Sequence, residues 1–127
     1  MLAQLVVSSV VMLVLDAIFI YANSNMFISQ VFDVQRSPLK LNYAGAAFTY
    51  VLLIFALNYF ILVPKKSVGD AFLLGIVIYG VFEGTNYAML KSWKPLTVMV
   101  DTLWGGTLMA ATTFLTRTLL KKMHVHV

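Results

Sequence analysis

Four apolar stretches, each long enough to cross a bilayer and parted by polar segments, constrain this 127-residue chain more than any other feature. They run from Leu2 to Ala22, Tyr43 to Val63, Gly69 to Leu90, and Pro95 to about Leu115. About 20 such residues span the hydrocarbon core as a helix, which satisfies its own backbone hydrogen bonds where no water can. Pro95 suits the first turn of the last helix, where a missing N–H costs nothing. Composition agrees, since 61% of residues are hydrophobic and 11% charged, against about 25% charged in soluble domains. The spans consume most of the chain, so residues 1–127 are expected to form a single transmembrane domain. The absence of cysteine excludes disulfides, thiolate metal ligands and a cysteine nucleophile.

The joints Pro64-Lys65-Lys66-Ser67 and Lys91-Ser92-Trp93-Lys94 are too short for anything but antiparallel neighbours. The expected fold is therefore all-α, an integral membrane four-helix bundle running up-down-up-down. The one long connection, Asn23 to Asn42, places Phe27, Ile28, Val31 and Phe32 at helical spacing beside Gln30, Asp33, Gln35 and Arg36. That pattern fits a short helix lying in the interface between the first two spans, or else a loop with some apolar residues. Ser37-Pro38 ends it, because a residue before proline avoids the helical region.

The first run reads as a retained helix rather than a signal peptide despite its small-x-small Ala22-Asn23-Ser24, since no Lys or Arg precedes it and it carries an acid. An even number of spans puts both termini on one side. Lys65, Lys66, Arg117, Lys121 and Lys122 lie there, against Arg36, Lys40, Lys91 and Lys94 opposite, which leans towards cytoplasmic termini.

Of the five acids only Asp33 and Asp70 fall near water, so nine basic residues dominate the aqueous surfaces. Such a surface suits anionic lipid headgroups and needs no nucleic acid. Asp16, Glu83 and Asp101 lie inside spans. Each sits six or seven residues from a span end, roughly 9 to 11 Å deep at 1.5 Å per residue. In an alternating bundle those three ends meet at the surface opposite the termini, so the acids are expected to share one layer.

Helical spacing supplies partners: Tyr79, Gly80, Glu83, Asn86 and Tyr87 on the third span, Thr97, Asp101, Trp104 and Gly105 on the fourth, and Met12, Asp16, Phe19 and Asn23 on the first. Gly80 and Gly84 form a GxxxG pair, and Thr102, Gly106 and Ala110 a small-residue row. Both patterns permit close helix approach. An acid at membrane depth is costly, and no Lys or Arg lies inside any of these spans to neutralise one. The remedies are a shared proton or a bound cation, for which the carboxylates with Asn86, Asn23 or Thr97 would be hard ligands suited to Ca²⁺, Mg²⁺ or Mn²⁺.

These residues leave three readings. The acids hydrogen-bond the helices together, they bind or pass a cation, proton or small solute, or two of them act as general acid and base in an intramembrane enzyme. No nucleophile elbow, P-loop, dinucleotide fingerprint or HExxH is present, so no enzyme class and no cofactor is signalled. His124 and His126 are spaced as a metal pair but sit on a basic tail that reads better as a headgroup anchor. Tyr21, Tyr43, Tyr87 and Trp93 occupy span ends, where aromatic belts belong. Trp104, one turn from Asp101, is deep enough either to pack in the core or to donate its indole hydrogen to an acid.

The segments Leu15-Asp16-Ala17, Tyr79-Gly80-Val81-Phe82-Glu83-Gly84-Thr85-Asn86 and Asp101-Thr102-Leu103-Trp104-Gly105 resemble the small membrane proteins grouped as domain of unknown function 2177, over nearly the whole chain. Glu83 stands where relatives usually carry Asp, and Phe19 where they often carry Trp. The resemblance implies four membrane helices with the three acids as signature positions, and it brings no activity. Such relatives occur in bacteria, algae and large DNA viruses. A structural role is accordingly the alternative to solute binding: the basic loops would then dock a homo-oligomer, a protein scaffold or a virion capsid layer.

Overall fold

The computed structural model describes residues 2–123; His124 and His126 lie outside the described residues. Within them the chain forms α1 (Leu2–Ala22), α2 (Ser24–Gln35), α3 (Tyr43–Leu57, continued by a π turn over Asn58–Leu62), α4 (Val68–Met89) and α5 (Pro95–Lys122), with no strand. Four of these, α1, α3 with its π turn, α4 and α5, are long and apolar enough to cross a membrane. The all-α four-span fold expected from the sequence is the one observed.

Local chemistry sets the helix ends. Asn42 Oδ1 accepts from the Gly45 N–H at 3.1 Å and Ser67 Oγ from the Asp70 N–H at 3.0 Å, each satisfying a donor that a helix start leaves free. Asp70 in the first turn of α4 also suits the positive end of the helix dipole. Between the first two spans the chain is helical rather than a loop, and α2 stops at Gln35, three residues before Pro38. Arg36 there adopts a left-handed conformation (φ 59°) with its N–H on the Phe32 carbonyl. α5 outruns its expected end at Leu115 because the residues beyond it, Thr116 to Lys122, are tolerated in a helix and contain neither Gly nor Pro.

The bundle turns its polar groups inward, around an apolar core, and leaves many large apolar side chains on its outside. The buried residues of α1 are Gln4, Ser8, Met12 and Asp16, whose four-residue spacing draws one stripe along the helix. Leu2, Val6, Val10, Val14 and Ile18 are exposed on its other faces. An aqueous fold would reverse this pattern, whereas in lipid the polar groups must be the ones turned inward. α5 is the central helix, packed against α4 on one side and α1 on the other, and α1 in turn carries α3.

Small residues make the α4–α5 seam. A Cβ on Gly75 would lie 2.1 Å from the Gly105 carbonyl oxygen, one on Gly105 2.2 Å from the Tyr79 ring, and one on Gly106 2.8 Å from Phe72. Gly105 and Gly106 thus leave no room for a side chain at the α4–α5 contact. Gly80 meets only Thr102, at an ordinary 3.5 Å, and Gly84 meets nothing within 4 Å, so the GxxxG pair is not the seam. The reason is rotational: the buried stripe of α4 runs through Ala71, Gly75 and Glu83, and Gly84 is turned about 100° away from it.

Met12, Leu53, Leu57, Ala71, Leu108 and Met109 form the apolar core of the bundle. Towards the termini, Asn58 at the start of the π turn donates to Ser8 Oγ at 3.1 Å, tying α3 to α1. The Arg117 guanidinium donates to the Lys66 carbonyl, fastening the end of α5 to the α3–α4 joint. The acids lie on the far side of the core.

Candidate functional site

Each of the four spans delivers one oxygen-bearing side chain to the layer opposite the termini: Asp16 from α1, Tyr50 from α3, Glu83 from α4 and Asp101 from α5. All three acids are buried, Glu83 at 1% exposure, Asp16 at 7% and Asp101 at 8%. Asp16 accepts the Trp104 indole N–H on Oδ1 at 2.9 Å and the Tyr50 hydroxyl on Oδ2. Glu83 accepts the Trp93 indole N–H at 2.8 Å, and Asp101 is buried on α5.

Aromatic rings fix the geometry around the acids. Phe19, one turn past Asp16, stacks on Trp104 with ring centroids 4.4 Å apart and planes parallel to within 1°. Its edge meets Phe27 of α2 at 5.8 Å. The stack orients the indole so that its N–H faces Asp16, which joins α1 to α5 by a polar and an apolar contact at the same level.

A cavity of about 520 Å³ opens beside the acids, with Asp16, Asp101, Tyr50 and Tyr79 on its polar side and apolar walls that include Phe19, Phe27, Val31 and Leu41. A second space of about 250 Å³, lined by α3 and α4 residues such as Thr49, Leu53 and Phe82, also borders Tyr79 and Asp101. Asp101 and Tyr79 therefore border both spaces. The helices bring Asp16 and Asp101 to one cavity and leave room next to them.

The expected partners divide. Trp104 reaches an acid, as one of its two readings required, although the acid is Asp16 and not Asp101 one turn away. Asn86 is half-buried one turn past Glu83, outside the hydrogen bonds that hold the acids among the described residues. Asn23 donates to the Phe19 carbonyl and Thr97 to Gln30, so neither serves as a ligand beside the carboxylates. No group of three or more His, Asp or Glu among the described residues has the arrangement to hold a metal ion, and the hard-cation site formed with those residues is not the one the fold builds.

Three contributors escape a reading of the sequence. Trp93, assigned above to an aromatic belt, folds inward to Glu83. Tyr50 carries no charge to draw the eye, yet it lies seven residues into its span from Tyr43, the same depth as the acids, and the depth argument applied to hydroxyls would have found it. Gln30 sits in a helix whose apolar residues point to the interface, but it is the buried residue of α2 at 2% exposure. Phe27 and Val31 accompany it towards the bundle, while Ile28 and Phe32 are exposed.

Four spanning helices, a polar interior and an exposed apolar exterior define a small multi-pass membrane protein with an acid cluster inside its bundle. The chain belongs to the family described as "Predicted membrane protein (DUF2177)", whose model matches residues 1–118. No curated protein and no solved structure matches it.

Proposed function

We propose that this protein binds a proton or a small organic cation at the Asp16–Glu83–Asp101 cluster, within the membrane, and passes it between the two spaces that meet there. One observation carries the reading: the buried carboxyls of Asp16 and Asp101, from two spans, line the same open volume with no cationic side chain in its lining, and a third acid, Glu83, is buried on α4. An acid layer of this kind is costly in a bilayer, and a purely structural cluster gains nothing from the adjoining room. The lack of any Lys, Arg or His in the lining disfavours anions, and the apolar walls suit a solute with some hydrocarbon character. On this reading both termini share one face, cytoplasmic by the weight of basic residues, and the basic ends sit against anionic headgroups.

The alternative is that the cluster only fastens the helices, which the indole and hydroxyl donors to Asp16 and Glu83 favour. The two readings part on charge. Asp101→Asn keeps a hydrogen-bonding side chain of the same size and cannot supply a negative charge. Melting of purified protein in detergent is to be followed while tetraethylammonium is titrated in. The proposal expects cation-dependent stabilisation of the wild type that Asp101→Asn loses; equal stabilisation, or none in either protein, supports the fastening role.

A further inference from the structure

We infer that α2 is a lid over the acid cavity, latched shut by the Gln30 side chain. As the regulation of the site proposed above, it rests on that reading for its purpose but not for its geometry. Phe27 and Val31 of α2 form part of the wall of the cavity that Asp16 and Asp101 also line, so displacing α2 takes away one side of it and widens access. The helix is built for such a movement. It is 12 residues long, parted from α1 by Asn23 alone and from α3 by the stretch 36–42, which contains no helix.

The latch is one amide. Gln30 Nε2 donates to the Ser92 carbonyl at 2.8 Å, while Oε1 accepts the Lys94 N–H at 2.9 Å and the Thr97 hydroxyl at 2.8 Å. Lys94 is the N-cap of α5 and makes no side-chain cap of its own, so Gln30 replaces a capping residue from a separate helix. At the surface Asp33 and Lys94 form an ion pair at 3.6 Å, which an exposed setting makes weak. The buried amide is therefore the stronger hold.

The same joint carries the signal inward. Trp93, between the two backbone groups that Gln30 grips, donates to Glu83. Release of Gln30 frees Ser92 and Lys94 and so loosens the indole from Glu83. At the other end of the lid, Phe27 contacts Phe19, which stacks on the Trp104 that serves Asp16. Opening α2 thus uncovers the cavity and disturbs a donor of Glu83 and a donor of Asp16 together.

The natural chain has no cysteine, so a single introduced thiol reports one place. Ala46→Cys puts it on the cavity wall, and Leu108→Cys, at a fully buried position of the core, reports general loosening. Each is made with and without Gln30→Ala in the full-length protein in phosphatidylcholine vesicles, and the rate of modification by N-ethylmaleimide is measured. Three lost hydrogen bonds should raise the Ala46→Cys rate about tenfold or more and leave the Leu108→Cys rate unchanged. An unchanged rate at position 46, or an equal rise at both positions, overturns the lid. The outcome does not depend on whether cations bind: a labelling change in a protein with no cation response would keep the lid and reject the proposed function, and the reverse result would do the opposite.

Discussion

Asp16 is served by two donors from two different helices, so removing both should cost more than the separate losses. Trp104→Phe keeps a ring stacked on Phe19 and deletes only the indole N–H; Tyr50→Phe deletes only a hydroxyl. Either change alone leaves the carboxyl with one donor and should cost about 0.5 to 1.7 kcal/mol, the measured range for polar contacts between membrane helices. The double variant leaves a carboxyl that is 7% exposed with neither donor. Stranding a buried acceptor costs about 1 to 3 kcal/mol, and more if it is charged, so the double loss should exceed the sum by about 1 kcal/mol or more. With Asp16→Leu as background the acceptor is gone and both substitutions should be nearly silent. Reversible unfolding in bicelles, followed by steric trapping, supplies the eight free energies of this cycle. Additive losses that persist in the Asp16→Leu background would refute the view that Asp16 is the shared acceptor of this layer.

Asp101→Asn should match wild-type stability, since an amide keeps a hydrogen-bonding side chain of similar size, whereas Asp101→Leu should lose roughly 1 to 2 kcal/mol in the same unfolding assay. Gly75→Val should drive α4 from α5, because even a Cβ would fall 2.1 Å from the Gly105 carbonyl, and should cost about 3 kcal/mol or more by the standard of overpacked cores. Gly84→Ala, with nothing within 4 Å, should be neutral or slightly stabilising, and thermal melting of the two glycine variants side by side checks both.

The features legible in the sequence are those set by a one-dimensional rule. Span length and joint length determine four antiparallel helices, and rise per residue places Asp16, Glu83 and Asp101 at one depth. The α1 stripe was also readable, though Gln4, Ser8 and Asp16 look like interruptions of an apolar run until their common spacing is noticed. What escapes is set by rotation and by contact between segments distant in sequence. The choice of Gly75 over Gly84 depends on which face of α4 meets α5, and GxxxG spacing alone does not say. The inward turn of Trp93 depends on a joint held by Gln30, more than 60 residues earlier. A tryptophan at a span end has the same sequence signature whether it meets headgroups or an acid.

The central claim, that the acid layer takes up and passes a cation, is tested most directly by proton flux. Purified protein is reconstituted into sealed vesicles with a pH-sensitive dye inside, and dye response is recorded after a pH step with wild type, Asp101→Asn and protein-free vesicles. The account predicts a response faster in wild-type vesicles than in empty ones, returning to the empty-vesicle rate with Asp101→Asn although that variant folds and unfolds as wild type does. If tetraethylammonium uptake also fails to distinguish wild type from Asp101→Asn, equal proton responses in the three preparations would contradict the claim and leave the acids as fasteners of the bundle.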